Sequence, residues 1–309
     1  MELVRLDSLA PGATSSAVTL GNFDGVHRGH QALVAETVGW ARSARGAAVV
    51  LTFDPHPARI LNPGGAKSAL MTLDQKAEVL ASLGVDRLVV LPFTEALAAM
   101  SADDFGRLVV GEALGATRVV VGQDFRFGRG RAGDVAELTR LGETLGFEVR
   151  GIAPVLEDGA PISSSRIRDL LAIGDVVKAA GLLGRPFYVD GVVVRGDGRG
   201  RGLGFPTANV AVRNETLPRL GVYACRVRIE SGLAPWPAVA NLGRRPTFGG
   251  GATVLEAHLL DFEGDLYGRE ARVEFMNELR GEQAFPSALA LLEQIRMDVE
   301  SARRVLEKP

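Results

Sequence analysis

The hydrophobic rhythm of the chain changes once. In the first half, short continuous apolar runs alternate with stretches in which apolar residues return every three or four positions. The runs are Ala17–Leu20, Ala47–Phe53, Leu88–Pro92 and Arg118–Gly122. Uninterrupted runs of this kind fit strands buried on both faces of a parallel sheet. Between them, His30–Ser43, Leu73–Leu83, Ala102–Leu114 and Asp134–Leu145 carry helical spacing, with Thr72 and Asp103 as expected N-caps. Strand–helix alternation predicts a doubly wound α/β domain.

From about Phe187 the period shortens. Tyr188–Arg195, Gly221–Ile229, Trp236–Asn241, Ala252–Asp261 and Ala271–Phe275 are β-rich runs punctuated by Gly, Pro and Asp. Short strands without helices between them predict a β-barrel or sandwich. Ser287–Glu307 closes the chain, with Leu289, Leu292, Ile295 and Val299 on one helical face. The boundary is expected within Ile173–Pro186, giving domains 1–183 and 184–309.

Composition narrows the function. The 309 residues carry a net charge of −2, which argues against wholesale nucleic-acid binding. A single cysteine, Cys225, excludes an internal disulfide framework and a cysteine-cluster metal site. The N-terminus lacks the pattern of a signal peptide. No apolar run is long enough for a membrane span, so a cytoplasmic protein without a membrane partner is expected.

Two regions carry chemistry. Gly21-Asn22-Phe23-Asp24-Gly25-Val26-His27-Arg28-Gly29-His30 follows a strand and opens a helix. Its glycines permit a tight turn, and a helix N-terminus offers N–H groups to a phosphate. His27 and His30 can face one ligand and donate to phosphate oxygens. The bland alternative is a turn with two exposed histidines. HxGH in this place resembles the signature of nucleotidylyltransferases, whose second mark is a Ser-rich stretch with a base late in the domain. Ile162-Ser163-Ser164-Ser165-Arg166-Ile167-Arg168 fits it, or is simply a serine-capped helix start. Thr52-Phe53-Asp54-Pro55-His56-Pro57 and Val121–Gly128 (VGQDFRFG) sit at strand ends, where parallel sheets bind ligands.

In the second region, Gly198-Arg199-Gly200-Arg201-Gly202-Leu203-Gly204-Phe205-Pro206-Thr207-Ala208-Asn209 combines a phosphate-cradling glycine stretch with neutral oxygens suited to Mg²⁺. Glu256 lies in a β-rich run, where it is either a base or a residue on a solvated face. No Walker A motif is present. Gly64-Gly65-Ala66-Lys67-Ser68 comes nearest, with Ala66 in place of the glycine before Lys67.

Together, GxFDGxHxGH, FDPHP, the GxDFxFG loop, SS-R-IR, GFPTAN, GVY, NLG-x-x-PTF and E-x-HLLDF resemble, in order, one family: the bifunctional bacterial riboflavin kinase/FMN adenylyltransferases, or FAD synthetases. The resemblance runs from Gly21 to about Asp298. It implies a Rossmann-like N-terminal nucleotidylyltransferase domain that adenylylates FMN with ATP to FAD and pyrophosphate. It also implies a C-terminal six-stranded Greek-key barrel, with a closing helix, that phosphorylates riboflavin with ATP and Mg²⁺. Carried over, His27, His30 and Arg166 serve adenylyl transfer and Glu256 is the base for the ribityl hydroxyl. ATP is held by Gly21, Asn22, Phe23, Gly29, Ser163 and Ser164 in one domain. In the other it is held by Gly198, Gly200, Arg201, Gly204, Pro206, Thr207 and Asn209, with Thr207 and Asn209 on the metal. Phe53, His56, Pro57, Asp124, Arg126, Phe127, Tyr223 and Arg280 line the flavin sites. Relatives often carry Asn at Asp124, where a carboxylate repels the FMN phosphate, and Thr at Gly202. A homo-oligomer is left open. The rival readings are a transferase for another phosphorylated acceptor, an Arg/Gly-loop nucleic-acid binder, and a flavin-binding module without turnover.

Overall fold

β2 (Ser16–Leu20) is buried along its whole length and pairs in parallel with β3 (Ala47–Phe53) on one side and β5 (Ala116–Gly122) on the other. The computed structural model describes residues 1–6, 16–196, 205–229, 234–244 and 253–307. With β1 (Glu2–Arg5), β4 (Arg87–Leu91) and β6 (Glu148–Ile152), these strands form a parallel sheet of order β1-β4-β3-β2-β5-β6. The strand order reverses at β2. The gap outside the carboxyl ends of β2, β3 and β5 is therefore the topological switch point, where doubly wound folds bind ligands.

Helices cover both faces. α1 (Arg28–Ser43) and α3 (Leu73–Ser82) enclose a core of Phe23, Val34, Val50, Leu80 and Leu88. Thr72 caps α3 through a reciprocal box with Gln75, as its sequence predicts. α2 (Pro57–Leu61) and α4 (Glu95–Ala99) are single turns. The helix expected over Ala102–Leu114 is different in kind. α5 (Ala102–Asp104) widens at once into π-helical turns over Phe105–Ala113, and the Leu114 N–H reaches back five residues to the Val109 carbonyl at 3.0 Å. Asp103 is not its cap. Ser101, in extended conformation one turn earlier, accepts the Asp104 N–H at 3.0 Å, which leaves Asp103 inside the first turn, bonded to Arg140. α6 (Val135–Leu145) is capped by Asp134. The hairpin β7 (Leu156–Glu157)/β8 (Ala160–Pro161) follows β6.

Close contacts divide the chain into Met1–Ser163 and Ser164–Pro309. The second unit opens with α7 (Ser164–Ala172) and α8 (Val176–Leu183). Its body is a closed antiparallel barrel of order β10-β13-β12-β11-β14-β9. The strands are β9 (Phe187–Val194), β10 (Ala208–Val212), β11 (Gly221–Arg228), β12 (Trp236–Arg244), β13 (Thr253–Leu259) and β14 (Glu270–Gly281). β11-β12-β13 form a meander and β14 returns beside β11, which is the Greek-key order. Only β10 escaped the apolar pattern, being short and followed by polar residues. α9 (Ala288–Leu306) lies on the outside of the barrel, packing Ala302 with Val222, Ala224 and Val239.

Candidate active sites

The first site grows from a strained turn. Between β2 and α1 the backbone is left-handed at Phe23 (φ 48°), Gly25 (φ 82°) and Val26 (φ 38°). For an aromatic and a β-branched residue such angles persist only where surrounding contacts impose them. Those contacts are visible. Phe23 is fully buried, and buried Asp24 accepts the Leu70 N–H at 2.9 Å. The Lys76 ammonium donates to the Asn22 carbonyl at 2.7 Å.

His27 ends the turn as the N-cap of α1. Its Nδ1 accepts the His30 N–H at 3.3 Å, so the neutral ring carries its proton on Nε2. The His30 ring stacks on it at 3.6 Å and 15°. Burial first, then the neighbouring His27 and Lys76, hold the His30 imidazole well below its ordinary pKa of 6.5. His30 is neutral at neutral pH, and its Nδ1 is a buried atom without a hydrogen-bond partner among the described residues. A ligand hydrogen bond would satisfy such an atom. Gly29 leaves room beside them. A Cβ there would stand 3.1 Å from the His27 ring and 3.7 Å from the Ile162 carbonyl.

The strand ends supply the rest. Gly21, Asn22, Phe53, Pro57, Asp124, Arg126 and Phe127 all border one cavity of about 500 Å³. Its aromatic walls are edge-to-face Phe53–Phe93 at 5.6 Å and stacked Phe125–Phe127 at 5.7 Å. His56 caps α2, its Nδ1 accepting the Ala58 N–H at 3.1 Å. Arg126 is ion-paired with Asp134 at 3.0 Å. Phe93, Phe105 and Arg131 also border the cavity. The sequence marked neither phenylalanine, because an apolar ring beside a strand or within a helical stretch reads as core, and it offered Arg131 only as part of an Arg/Gly loop. Ser163 is the last residue of this unit, and Ser164 and Arg166 open α7 in the next.

In the barrel, register assembles the second site. Buried Leu255, Ala257 and Leu259 alternate with Glu256 and His258, which project from the other face of β13. Glu256 lies opposite Asn209 of β10 on one side and Asn241 of β12 on the other. Asn209 is buried, and its Oδ1 has no hydrogen-bond partner among the described residues. A side chain at Gly196 would run into its amide. Thr207 and Pro206 border a cavity of about 600 Å³ that reaches Arg195 and Tyr267. Gly198, Gly200, Arg201, Gly202 and Gly204, like the 246–248 PTF block, lie outside the described residues.

His258 holds this segment in place. Its Nδ1–H donates to the Pro206 carbonyl at 2.8 Å, and Phe205 packs edge-on against its ring at 5.4 Å. A carbonyl only accepts, so the bond fixes the tautomer. Asn presents a donor near the Nδ1 position and Gln near Nε2. His258→Asn should therefore keep more of this site's turnover than His258→Gln, and equal rates would remove His258 from that role.

Two expected flavin residues are engaged by the barrel's own packing and pairing. Tyr223 is wholly enclosed, its hydroxyl donating to the Arg219 carbonyl and its ring 5.2 Å from Phe275. The Arg280 guanidinium is held by the buried Asp298 carboxylate at 2.9 to 3.2 Å, which ties α9 to β14. Removing one partner leaves the other charge uncompensated, so Asp298→Ala should cost the barrel about 3 kcal/mol. Denaturant unfolding followed by a barrel signal would measure it; a change below about 1 kcal/mol would deny the pair that weight.

Residues 10–166 match the family model for FAD synthetase, and residues 183–306 the model for riboflavin kinase. The chain is similar to the bifunctional riboflavin kinase/FMN adenylyltransferase of Pseudomonas fluorescens, 42% identical over 305 residues that span 98% of this chain and 97% of that one. The Escherichia coli K12 protein of the same description is 40% identical over 313 residues, covering 100% of both chains. A solved structure described as a macrolide-efflux protein from Streptococcus pneumoniae shares the fold with a TM-score of 0.91 and 31% identity, over 98% of this chain and 99% of that one. Among the described residues, no helix is long and apolar enough to cross a membrane.

Proposed function

The chain belongs to the family of bifunctional riboflavin kinase/FMN adenylyltransferases, and on that premise we propose which of its residues carry the two reactions. It joins an FMN adenylyltransferase to a riboflavin kinase in one polypeptide. We place the functional boundary between residues 183 and 184, beside the start of the kinase match at residue 183, although the compact units part earlier, after Ser163.

In adenylyl transfer an FMN phosphate oxygen attacks the α-phosphorus of ATP and pyrophosphate leaves. No covalent intermediate on the protein is needed; positioning and electrostatics suffice. The N-terminus of α1 turns its positive dipole end toward the nucleotide phosphates. His27 Nε2–H donates to a phosphate oxygen, and neutral His30 donates beside it. Gly21, Asn22 and the Phe23 backbone bring the chain close to ATP, and Gly29 keeps the histidines unobstructed. Ser163, Ser164 and Arg166 hold the triphosphate, an assignment that rests on their sequence pattern. The flavin ring lies along Phe53, Pro57 and Phe127, with His56 at the edge. Arg126 offsets Asp124, whose carboxylate sits poorly with the FMN phosphate.

In the kinase reaction the ribityl hydroxyl attacks the γ-phosphorus of ATP, the bond to the β–γ bridging oxygen breaks and ADP leaves. Glu256 accepts the hydroxyl proton, and Asn209 and Asn241 lie opposite it in register on the neighbouring strands. The residues fit Mg²⁺: Thr207 and Asn209 are neutral oxygen donors, and Asn209 Oδ1 is orphaned in a buried place. Among the described residues no three His, Cys, Asp or Glu side chains form a metal cluster. Mg²⁺ would neutralise phosphate charge as ATP binds. Gly198, Gly200, Arg201, Gly204 and Pro206 cradle the phosphates. Tyr223 would shape the flavin site only through the wall it builds, and Arg280 as the strut that α9 holds.

The observation that carries this reading is the register of β10, β12 and β13, which sets Glu256 between Asn209 and Asn241 while a separate turn presents His27 and His30. The test is a time course with riboflavin, ATP and Mg²⁺, separating flavins by chromatography. FMN should appear first and FAD after it. FMN alone would point to Asp124 or the histidine turn as altered, and FAD only from supplied FMN would put Glu256 in doubt.

A further inference from the structure

Lys76 is a buried amino group to which neither reaction above gives a role. It follows the capping box of α3, and only 9% of the residue is exposed. Its ammonium donates to the Asn22 carbonyl at 2.7 Å and to Thr52 Oγ1 at 3.0 Å, and the Thr52 hydroxyl donates to the same carbonyl at 3.0 Å. A side chain from α3 and another from β3 thus meet on one backbone oxygen of the turn after β2. That oxygen immediately precedes the left-handed Phe23, so its direction sets how the turn leaves the strand. Asn22 and Gly21 also border the 500 Å³ cavity.

A neutral donor would satisfy a carbonyl and a hydroxyl. An ammonium in a dry place is costly to keep. Burial pushes Lys76 down to about 8, although Asp24 and Asp54 pull the other way. The same charge is felt at the His30 ring. A cation bonded to the backbone of a strained turn supports that turn and adds to its field.

We propose that Lys76 is a positioning residue for adenylyl transfer, holding the Asn22 carbonyl so that the Gly21–His27 turn meets the ATP phosphates. The proposal rests on the assignment of that turn to ATP.

The experiment uses the full chain carrying Lys76→Met and, separately, Thr52→Val. Steady-state FAD formation from FMN and ATP is measured, with riboflavin phosphorylation by the same preparations as the internal standard. Lys76→Met should raise KM for ATP by about tenfold or more while KM for FMN stays within about twofold. Thr52→Val should shift KM for ATP by about threefold in the same direction, since the ammonium still holds the carbonyl. Riboflavin phosphorylation should be unchanged in both. A merely structural residue would lower the active fraction, and so kcat, and leave KM for ATP in place. That result, or KM for ATP within about twofold of the unsubstituted chain in both variants, overturns the proposal. If Lys76→Met does not fold, Thr52→Val decides alone. An unsubstituted chain that makes FMN but no FAD would sink the underlying assignment instead, and with it this inference.

Discussion

His30→Ala should lower the rate of FAD formation by about 10² to 10³, the loss that removal of a preorganised donor to transition-state charge brings, and should leave FMN formation at the unsubstituted rate. The geometry gives the reason. His30 is stacked on His27 at 3.6 Å, half-buried and neutral, with an orphaned nitrogen. Truncation removes a donor that is already oriented and already dehydrated, so little compensates for it. His27 calls for a subtler substitution. Its Nδ1 caps the helix while its Nε2–H is the donor proposed for the phosphates, so alanine would remove both. His27→Asn keeps an acceptor for the His30 N–H and removes only the Nε2 donor. It should therefore fold with α1 intact and still lose most FAD formation. The pH profile discriminates further. If a protonated His30 acted, FAD formation would fall as pH rises through the ordinary histidine range. With its pKa held well below 6.5, the ring is already neutral there, and no such fall should come from it. The measurement is kcat/KM for each half-reaction in the same preparation. Equal loss in both would contradict separate sites.

The residues that announce this site in the sequence are those whose chemistry is unusual where they stand. Two histidines three apart after a strand, or a glutamate within a β-rich run, ask for an explanation. Lys76 does not, because a lysine on an amphipathic helix is ordinary until the fold buries it under a turn from another element. The same holds for Phe93 and Phe105, which read as core and become cavity wall only because the sheet reverses direction at β2. Register is equally invisible. Asn209, Glu256 and Asn241 are widely separated in sequence, and only barrel closure puts them side by side. Local patterning had its own blind spots. β1 is short and nearly all exposed and β6 mixes charged with apolar residues, so neither shows a continuous apolar run. The π-helical Phe105–Ala113 keeps helix-like apolar residues while its hydrogen bonds span five residues, a difference that periodicity does not report. Tyr223 shows the opposite case. Its family motif marks it as a flavin residue, and its full burial in the barrel comes from packing that no motif displays.

Glu256→Gln is the second large effect, and it should be the mirror image of the first. FMN formation falls by about 10² to 10⁴, the range that a positioned general base supplies, while FAD formation from supplied FMN continues. Glutamine is the informative replacement because it matches glutamate in size and polarity and leaves the β13 register to Asn209 and Asn241 undisturbed. What it cannot do is accept a proton from the ribityl hydroxyl. The loss should therefore appear in kcat, with KM for riboflavin and for ATP little changed, since the missing contribution belongs to the transition state. Asn209→Ala should behave differently. It removes a buried neutral oxygen and spares the base, so turnover should recover in part as Mg²⁺ is raised, whereas Glu256→Gln should not respond to Mg²⁺ at all. The two variants together separate proton acceptance from metal and phosphate binding on adjacent strands. FMN formation by Glu256→Gln within about threefold of the unsubstituted chain would take the base role from Glu256. The carboxylate would then be only a polar residue between two asparagines, and the proton would have to leave through the phosphates of ATP itself.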